Sequence, residues 1–465
     1  MLISTVLRFF NAVLLLVVLA RYWGPETFGI FMYPFTLAGI IVILVDYGFN
    51  LQLVRDVGKN SQDVHRLTCQ AINIKTLLTA IVLLAGLPFI IFLKAIEGYR
   101  LLLVLLLFSN ILNSYGLVFN LSFRGLGLFD KEVIVTFWLT IITFIIIGSL
   151  ILFGEGPEII AWALVITRAF FMGHSWVVYR QVVGKDKFIF AHLRPILTAL
   201  KKGAPFAAHV ALGTLYFSVD TVIIQHLLGP QSVGIYQAGL RVMLGGLIFA
   251  DVLGNVYLSG IARESVNRGT LVHVATRMTR HFLMIASLGF VCMIAFPDLV
   301  VKLIYGSSGY SKVIPLLPLF GVVLLLRFMG ASYGIVLTVD DKQGVRTMGA
   351  GLSVIVSVAL NLILIPVFAL RGALFASIIT HIFLVGIYII FTQRQVRSLL
   401  IDLRTWFLII IAAAAGIFQM LMFPARNIMT YTVMATAFLC TGIAGVTTSE
   451  YGDLVKRLRR VCFEN

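Results

Sequence analysis

The chain has 465 residues, 60% of them hydrophobic and only 12% charged, with a mean hydropathy of +1.01. Soluble domains carry roughly 25% charge, and no water-soluble globule has enough interior to hide so much apolar surface, so the natural solvent is a bilayer. Lys and Arg outnumber Asp and Glu by 36 to 20, in short blocks between apolar runs, which points to the phospholipid bilayer rather than nucleic acid as partner.

A membrane-crossing helix needs ~20 mostly apolar residues. In chain order such runs occupy roughly 3–20, 29–48, 69–93, 100–122, 133–153, 159–179, 204–226, 235–258, 281–303, 313–338, 347–368, 372–392, 406–423 and 428–447. Turn chemistry separates them at Gly24-Pro25, Gly154-Glu155-Gly156-Pro157, Gly229-Pro230 and Gly306-Ser307-Ser308-Gly309. The first run lacks a small-residue cleavage site and continues into the next span, so it reads as a retained helix rather than a signal peptide. The longest gap, 180–203, is a short basic loop with no room for a soluble domain. The expected fold is therefore an all-α integral membrane protein of about 14 transmembrane helices, each long enough to span the hydrocarbon core. Residues 1–180 form an N-lobe of six helices and 181–203 a basic cytoplasmic linker. Residues 204–393 form a C-lobe of six, and 394–465 hold two further helices and a basic tail. Lys and Arg concentrate in the even-numbered gaps and the C-terminus, as at Arg55, Lys59, Arg66, Arg124, Lys131 and Lys456–Arg460. That asymmetry places both termini in the cytoplasm.

The segment Gly24-Pro25-Glu26-Thr27-Phe28-Gly29-Ile30-Phe31 recurs 205 residues later as Gly229-Pro230-Gln231-Ser232-Val233-Gly234-Ile235-Tyr236. The same offset carries Asp46 onto Asp251 and Asn50 onto Asn255. A Gly-Pro turn alone would make only a tight helical hairpin, but the distant partners extend the match. Both copies have the same expected orientation, so the repeat is parallel, about an axis along the membrane normal. Two-lobed transporters with a central cavity are built in this way.

Several segments resemble one family. Ala20-Arg21-Tyr22-Trp23-Gly24-Pro25-Glu26-Thr27-Phe28-Gly29 is similar to the first loop of Wzx-type polysaccharide flippases. Asp46-Tyr47-Gly48-Phe49 resembles the end of their second helix, and Val219-Asp220-Thr221 through Gly229, Gly234, Tyr236 and Arg241 resembles their seventh and eighth. Asn361-Leu362-Ile363-Leu364-Ile365-Pro366, followed by Gly372-Ala373-Leu374-Phe375-Ala376, resembles a later helical turn. The resemblance implies a member of the multidrug/oligosaccharidyl-lipid/polysaccharide exporter superfamily, with two six-helix lobes facing a V-shaped cavity and two extra helices. It implies a transporter in the bacterial inner membrane, not an enzyme. Its cargo would be an undecaprenyl-diphosphate-linked glycan, a repeat unit for O-antigen, capsule or exopolysaccharide, moved from the cytoplasmic to the periplasmic leaflet. A polysaccharide polymerase and a chain-length regulator are the implied protein partners. No cofactor is expected beyond H+ or Na+ as a coupling ion.

Charges inside the spans are the candidate site residues, because an ionised group at mid-membrane costs ~2.5–3.5 kcal/mol and normally faces protein or a watery cavity. Arg168 and Arg327 lie near the middle of the sixth and tenth spans, too deep to snorkel to headgroups ~15 Å away. They are expected to line the cavity and hold the diphosphate, for which the planar guanidinium fork is suited; the alternative is a structural pairing with a carboxylate or backbone carbonyls. Arg8 and Asn11 share one helical turn and a polar face. Arg241 and Asp220 lie at matching depth around the Gly229–Gly234 turn, so a bridge between them is as reasonable as a ligand site. Lys75 reads as a cytoplasmic-end side chain that snorkels outward as an anchor, or that receives the diphosphate. Asp251, the deeper member of the repeat pair, and Asp220 are candidate ion-coupling residues, with Asp46 capping or pairing near a helix end. His381 and His209 can titrate in the physiological range, although a lone membrane histidine more often packs.

Cys69, Cys292, Cys440 and Cys462 have no metal-ligand spacing, so neither disulfides nor a metal site is expected. No Gly-rich phosphate loop of an ATP-driven pump occurs, and no catalytic set emerges. The alternatives within the superfamily are an ion-coupled drug/cation antiporter, which should line its cavity with acids, and an exporter of lipid-linked murein precursor.

Overall fold

In hydrocarbon every backbone N–H and C=O must be bonded within the protein, so an apolar run of sufficient length becomes a helix whatever its side-chain propensities. The computed structural model describes residues 7, 9–92, 94–184, 193–264, 268–306, 309–340 and 342–392. Arg8, the two spans expected at 406–423 and 428–447, and the basic tail lie outside the described residues, as do the side chains of Asp251 and His209. Among the described residues there is no strand, and 11 helical stretches are long and apolar enough to cross a membrane. They account for all of the expected spans up to residue 392, because the first two run together over Asn11–Asp46.

That first stretch is a π-helical turn, Phe10–Leu14, followed by α1 (Leu15–Asp46). It breaks at Gly24, whose φ of 75° and ψ of 176° only glycine adopts without strain; Pro25 then restarts the helix, its ring pre-set for a first helical position. The stretch ends where Tyr47 and Gly48 both turn left-handed, with φ of 43° and 69°. α2 (Phe49–Lys59) follows, an amphipathic helix that hydropathy alone does not separate from the loop. It buries Phe49, Leu53 and Val57 at four-residue spacing and leaves Arg55 and Lys59 exposed. The remaining helices are α3 (Val64–Phe92), α4 (Arg100–Gly125), α5 (Phe129–Leu152), α6 (Pro157–Val183), α7 (Leu193–Leu228), α8 (Pro230–Glu264), α9 (Arg268–Ala295), α10 (Pro297–Tyr305), α11 (Leu317–Val339), α12 (Gln343–Phe368) and α13 (Leu370–Phe391).

The chain divides into two compact units between Gly234 and Ile235. The sequence places α7 at the start of the C-lobe, yet it groups with the first unit, where Ile196 and Ala199 pack with Phe49 and Ile74. Within this unit the two copies of the Gly-Pro segment meet. Gly229 has the same left-handed φ as Gly24, 80° against 75°. A Cβ added to Gly29 would overlap the Pro230 carbonyl, and one added to Gly234 would overlap the Pro25 carbonyl. The repeat read from sequence is therefore a reciprocal backbone contact that only glycine permits.

In the first unit a core cluster forms at Phe119, Phe123, Val135, Leu139, Phe171 and Tyr179, where α4, α5 and α6 meet. In the second unit, α9, α11 and α13 pack through Leu283, Met329 and Val385, and α11 and α13 through Tyr333, Leu337 and Tyr388. Each unit also carries a buried hydroxyl pair. Thr68 Oγ1 lies 2.9 Å from Ser122 Oγ between α3 and α4, and Thr279 Oγ1 lies 2.6 Å from Ser332 Oγ between α9 and α11. Leu84, Leu152, Ile355 and Val367 project outward uncovered, as lipid-facing side chains should.

Candidate functional site

α6 begins with Pro157 at its first position and Glu158 in its first turn, both favourable at the positive end of a helix dipole. Arg168 lies 11 residues further on, roughly 16 Å along the axis at 1.5 Å per residue. Its Nη2 donates to Asn11 Oδ1 at 3.2 Å. The Asn11 amide donates in turn to Thr140 Oγ1 at 3.5 Å, and Thr140 donates to the Thr136 carbonyl at 2.8 Å. Asn11 is buried, so this short chain fixes the guanidinium through a neutral amide. Among the described residues no carboxylate comes within ion-pair distance of Arg168. The sequence placed Asn11 with Arg8; its observed partner is 157 residues away.

Lys75 behaves otherwise than expected. It is 0% exposed on α3, and its ammonium donates to Asp46 Oδ1 at 2.5 Å, Ser114 Oγ at 2.5 Å and the Ser114 carbonyl at 3.2 Å. Ser114 Oγ donates to the same Asp46 oxygen at 2.5 Å. Three ammonium hydrogens meet three acceptors. Lys75 is thus no snorkelling anchor: a buried ammonium requires a counter-ion, and Asp46, at the end of α1, supplies it. Glu132, buried in the first turn of α5, is also neutralised, with Arg124 Nη2 and Nε donating to its two oxygens at 2.6 and 3.3 Å. Asp220 is buried on α7 in the first unit.

In the second unit Arg327 on α11 and His381 on α13 come together, although each reads as a separate candidate in the linear chain. Arg327 Nε donates to His381 Nε2 at 3.2 Å. For that nitrogen to accept, the proton must sit on Nδ1, which faces the Ser377 carbonyl at 2.7 Å. His381 is therefore a neutral hinge between Arg327 and its own helix. Arg241 on α8 donates through Nη2 to Gln237 Oε1 at 3.0 Å, one turn away. Nearby, the buried Tyr305 hydroxyl donates to the Ala238 carbonyl at 2.8 Å. Burial raises the pKa of Tyr305 and the Arg241 charge opposes that only in part, so the phenol stays a protonated donor. Asp251 belongs to α8 by its backbone. Among the described residues no three His, Cys, Asp or Glu gather as metal ligands.

Sequence reasoning missed Ser114 altogether, since a serine in a membrane helix carries no signal of its own. Asn361 was visible only as part of a motif, and Ser357, to which it bonds at 3.2 Å on α12, was not visible at all.

The family model of the polysaccharide biosynthesis protein matches residues 1–253. No curated protein matches the chain in sequence. Among solved structures, the lipid II flippase MurJ in an inward closed conformation superposes with a TM-score of 0.68 at 15% identity, covering 97% of this chain and 98% of its own. An inward-facing multidrug resistance MATE transporter gives 0.63 at 15% identity, covering 85% and 96%. A transporter from Pyrococcus furiosus, described as having a binding pocket of reverse polarity, gives 0.62 at 16% identity, covering 86% and 95%. At these identities the structures establish the fold alone. With more than half of its length matched by the family model, the chain belongs to the polysaccharide biosynthesis protein family, on the fold of the multidrug/oligosaccharidyl-lipid/polysaccharide exporter superfamily.

Proposed function

We propose that the protein is a flippase that carries an undecaprenyl-diphosphate-linked oligosaccharide from the cytoplasmic to the periplasmic leaflet of a bacterial inner membrane, by alternating access. The observation that supports this most is Arg168, an intramembrane cation held by the Asn11 amide rather than by an acid. A guanidinium steadied by a neutral group keeps its charge for an anion, and its fork matches phosphate oxygens. Arg327, which donates to His381 Nε2, is the mid-membrane cation of the second unit. Asp46 is committed to Lys75, which weighs against its serving an exporter of organic cations. A coupling H+ or Na+ would use Asp251 or Asp220. Both termini on the cytoplasmic side, and a polymerase and chain-length regulator as neighbours, belong to the same reading.

The test is complementation of a strain lacking its own flippase, scored by surface glycan. Arg168→Ala should lower glycan display at least tenfold at unchanged protein level, with Arg168→Lys intermediate. Normal display in both Arg168→Ala and Arg327→Ala would overturn the proposal.

A further inference from the structure

A cleft of about 270 Å³ opens in the first unit between α3, α4 and α6, its α6 residues following Arg168 by roughly two to three turns of the same helix. Its walls include His65 and Cys69 from α3, Phe119 from α4, and Trp176, Tyr179 and Arg180 from α6. The aromatic side chains are mutually braced: Tyr179 tilts against Phe119 at 5.2 Å, and His65 stacks on Tyr179 at 6.5 Å. The Arg180 guanidinium lies over the Trp176 ring at 5.4 Å. No acid lines the cleft. Its polar end is therefore cationic, with a planar anion-binding group fixed by an aromatic face.

The outer side of α6 continues this feature. Trp162, Ala169 and Trp176 recur every seven residues, two turns apart on one side of the helix, and all three are exposed. Trp162 and Trp176, 52% and 47% exposed, stand roughly 21 Å apart at 1.5 Å per residue. An apolar track with an indole at each end, one of them beside a cationic cleft, matches the dimensions and polarity of a membrane lipid. Tryptophan belongs at the headgroup level, and basic pockets between membrane helices take lipid headgroups.

We infer that this cleft binds an anionic glycerophospholipid, its phosphate held by Arg180 and His65 and an acyl chain lying along Trp176, Ala169 and Trp162. This site is independent of the translocated substrate: the lipid would be a resident of the first unit rather than cargo. The experiment uses the purified full-length chain in neutral detergent, with thermal unfolding followed on titration of phosphatidylglycerol, phosphatidylcholine or inorganic phosphate. Phosphatidylglycerol should raise the midpoint, phosphatidylcholine and free phosphate should not, and Arg180→Ala and Trp176→Ala should each weaken the effect at least tenfold. Equal stabilisation by phosphatidylcholine would remove charge recognition, and stabilisation by inorganic phosphate alone would replace the lipid with a simple anion; either overturns the proposal. Because a variant can fail to fold, a photoactivatable phosphatidylglycerol is also applied to the unmodified protein. Adducts should map to α3 and α6 around His65 and Trp176–Arg180, and adducts confined to other helices would refute the site.

Discussion

Lys75 and Asp46 offer a quantitative test of how the first unit handles charge in lipid. Asp46→Asn takes the counter-charge from an ammonium that is 0% exposed and leaves it only neutral acceptors, the two Ser114 oxygens and an amide oxygen. Breaking a buried pair from one side typically costs about 3–5 kcal/mol. Lys75→Met should cost less, about 1–3 kcal/mol, because the Asp46 side chain is 21% exposed and keeps the Ser114 hydroxyl. The double variant leaves no orphaned charge, so it should recover about 2–4 kcal/mol relative to the sum of the singles. The measurement is a double-mutant cycle by reversible unfolding in detergent micelles, alongside glycan display for each variant. A structural pair predicts that display recovers with stability in the double variant. Additive stability losses, or a double variant that is stable yet inactive, would refute the assignment and return Lys75 to the list of substrate ligands.

At the crossing of the Gly-Pro segments, Gly29→Ala or Gly234→Ala must push a facing carbonyl away by roughly 1 Å or more, costing about 1–3 kcal/mol. Gly39→Ala, with open space around it, should be neutral or slightly stabilising in the same unfolding assay. Asn11→Asp would place a carboxylate against Arg168: thermal stability should hold or rise while glycan display falls at least tenfold, and a fully active variant would show that the uncompensated charge is not what works. His381→Leu removes the acceptor of Arg327 Nε and should cost about 1–3 kcal/mol, whereas His381→Gln, which retains an acceptor, should lose less than half of that by the same unfolding measurement.

The apolar runs of this chain determine its helices by themselves, because lipid offers the backbone no partner outside its own helix. The Gly24-Pro25 and Gly229-Pro230 breaks are likewise local, being written in residues whose backbone preferences do not depend on neighbours. Depth in the membrane is also legible, which is why Arg168, Arg327 and Lys75 stand out before any coordinates. What a linear pattern does not contain is the direction in which each helix turns its side chains and which helix it faces. One residue is 100° of rotation, so Asn11 meets Arg168, Ser114 closes on Lys75 and Asp46, and His381 seats Arg327 only through helix packing. Tertiary structure therefore decided which of the buried charges are neutralised and which are steadied by neutral groups, and that distinction separates a structural pair from a candidate ligand site.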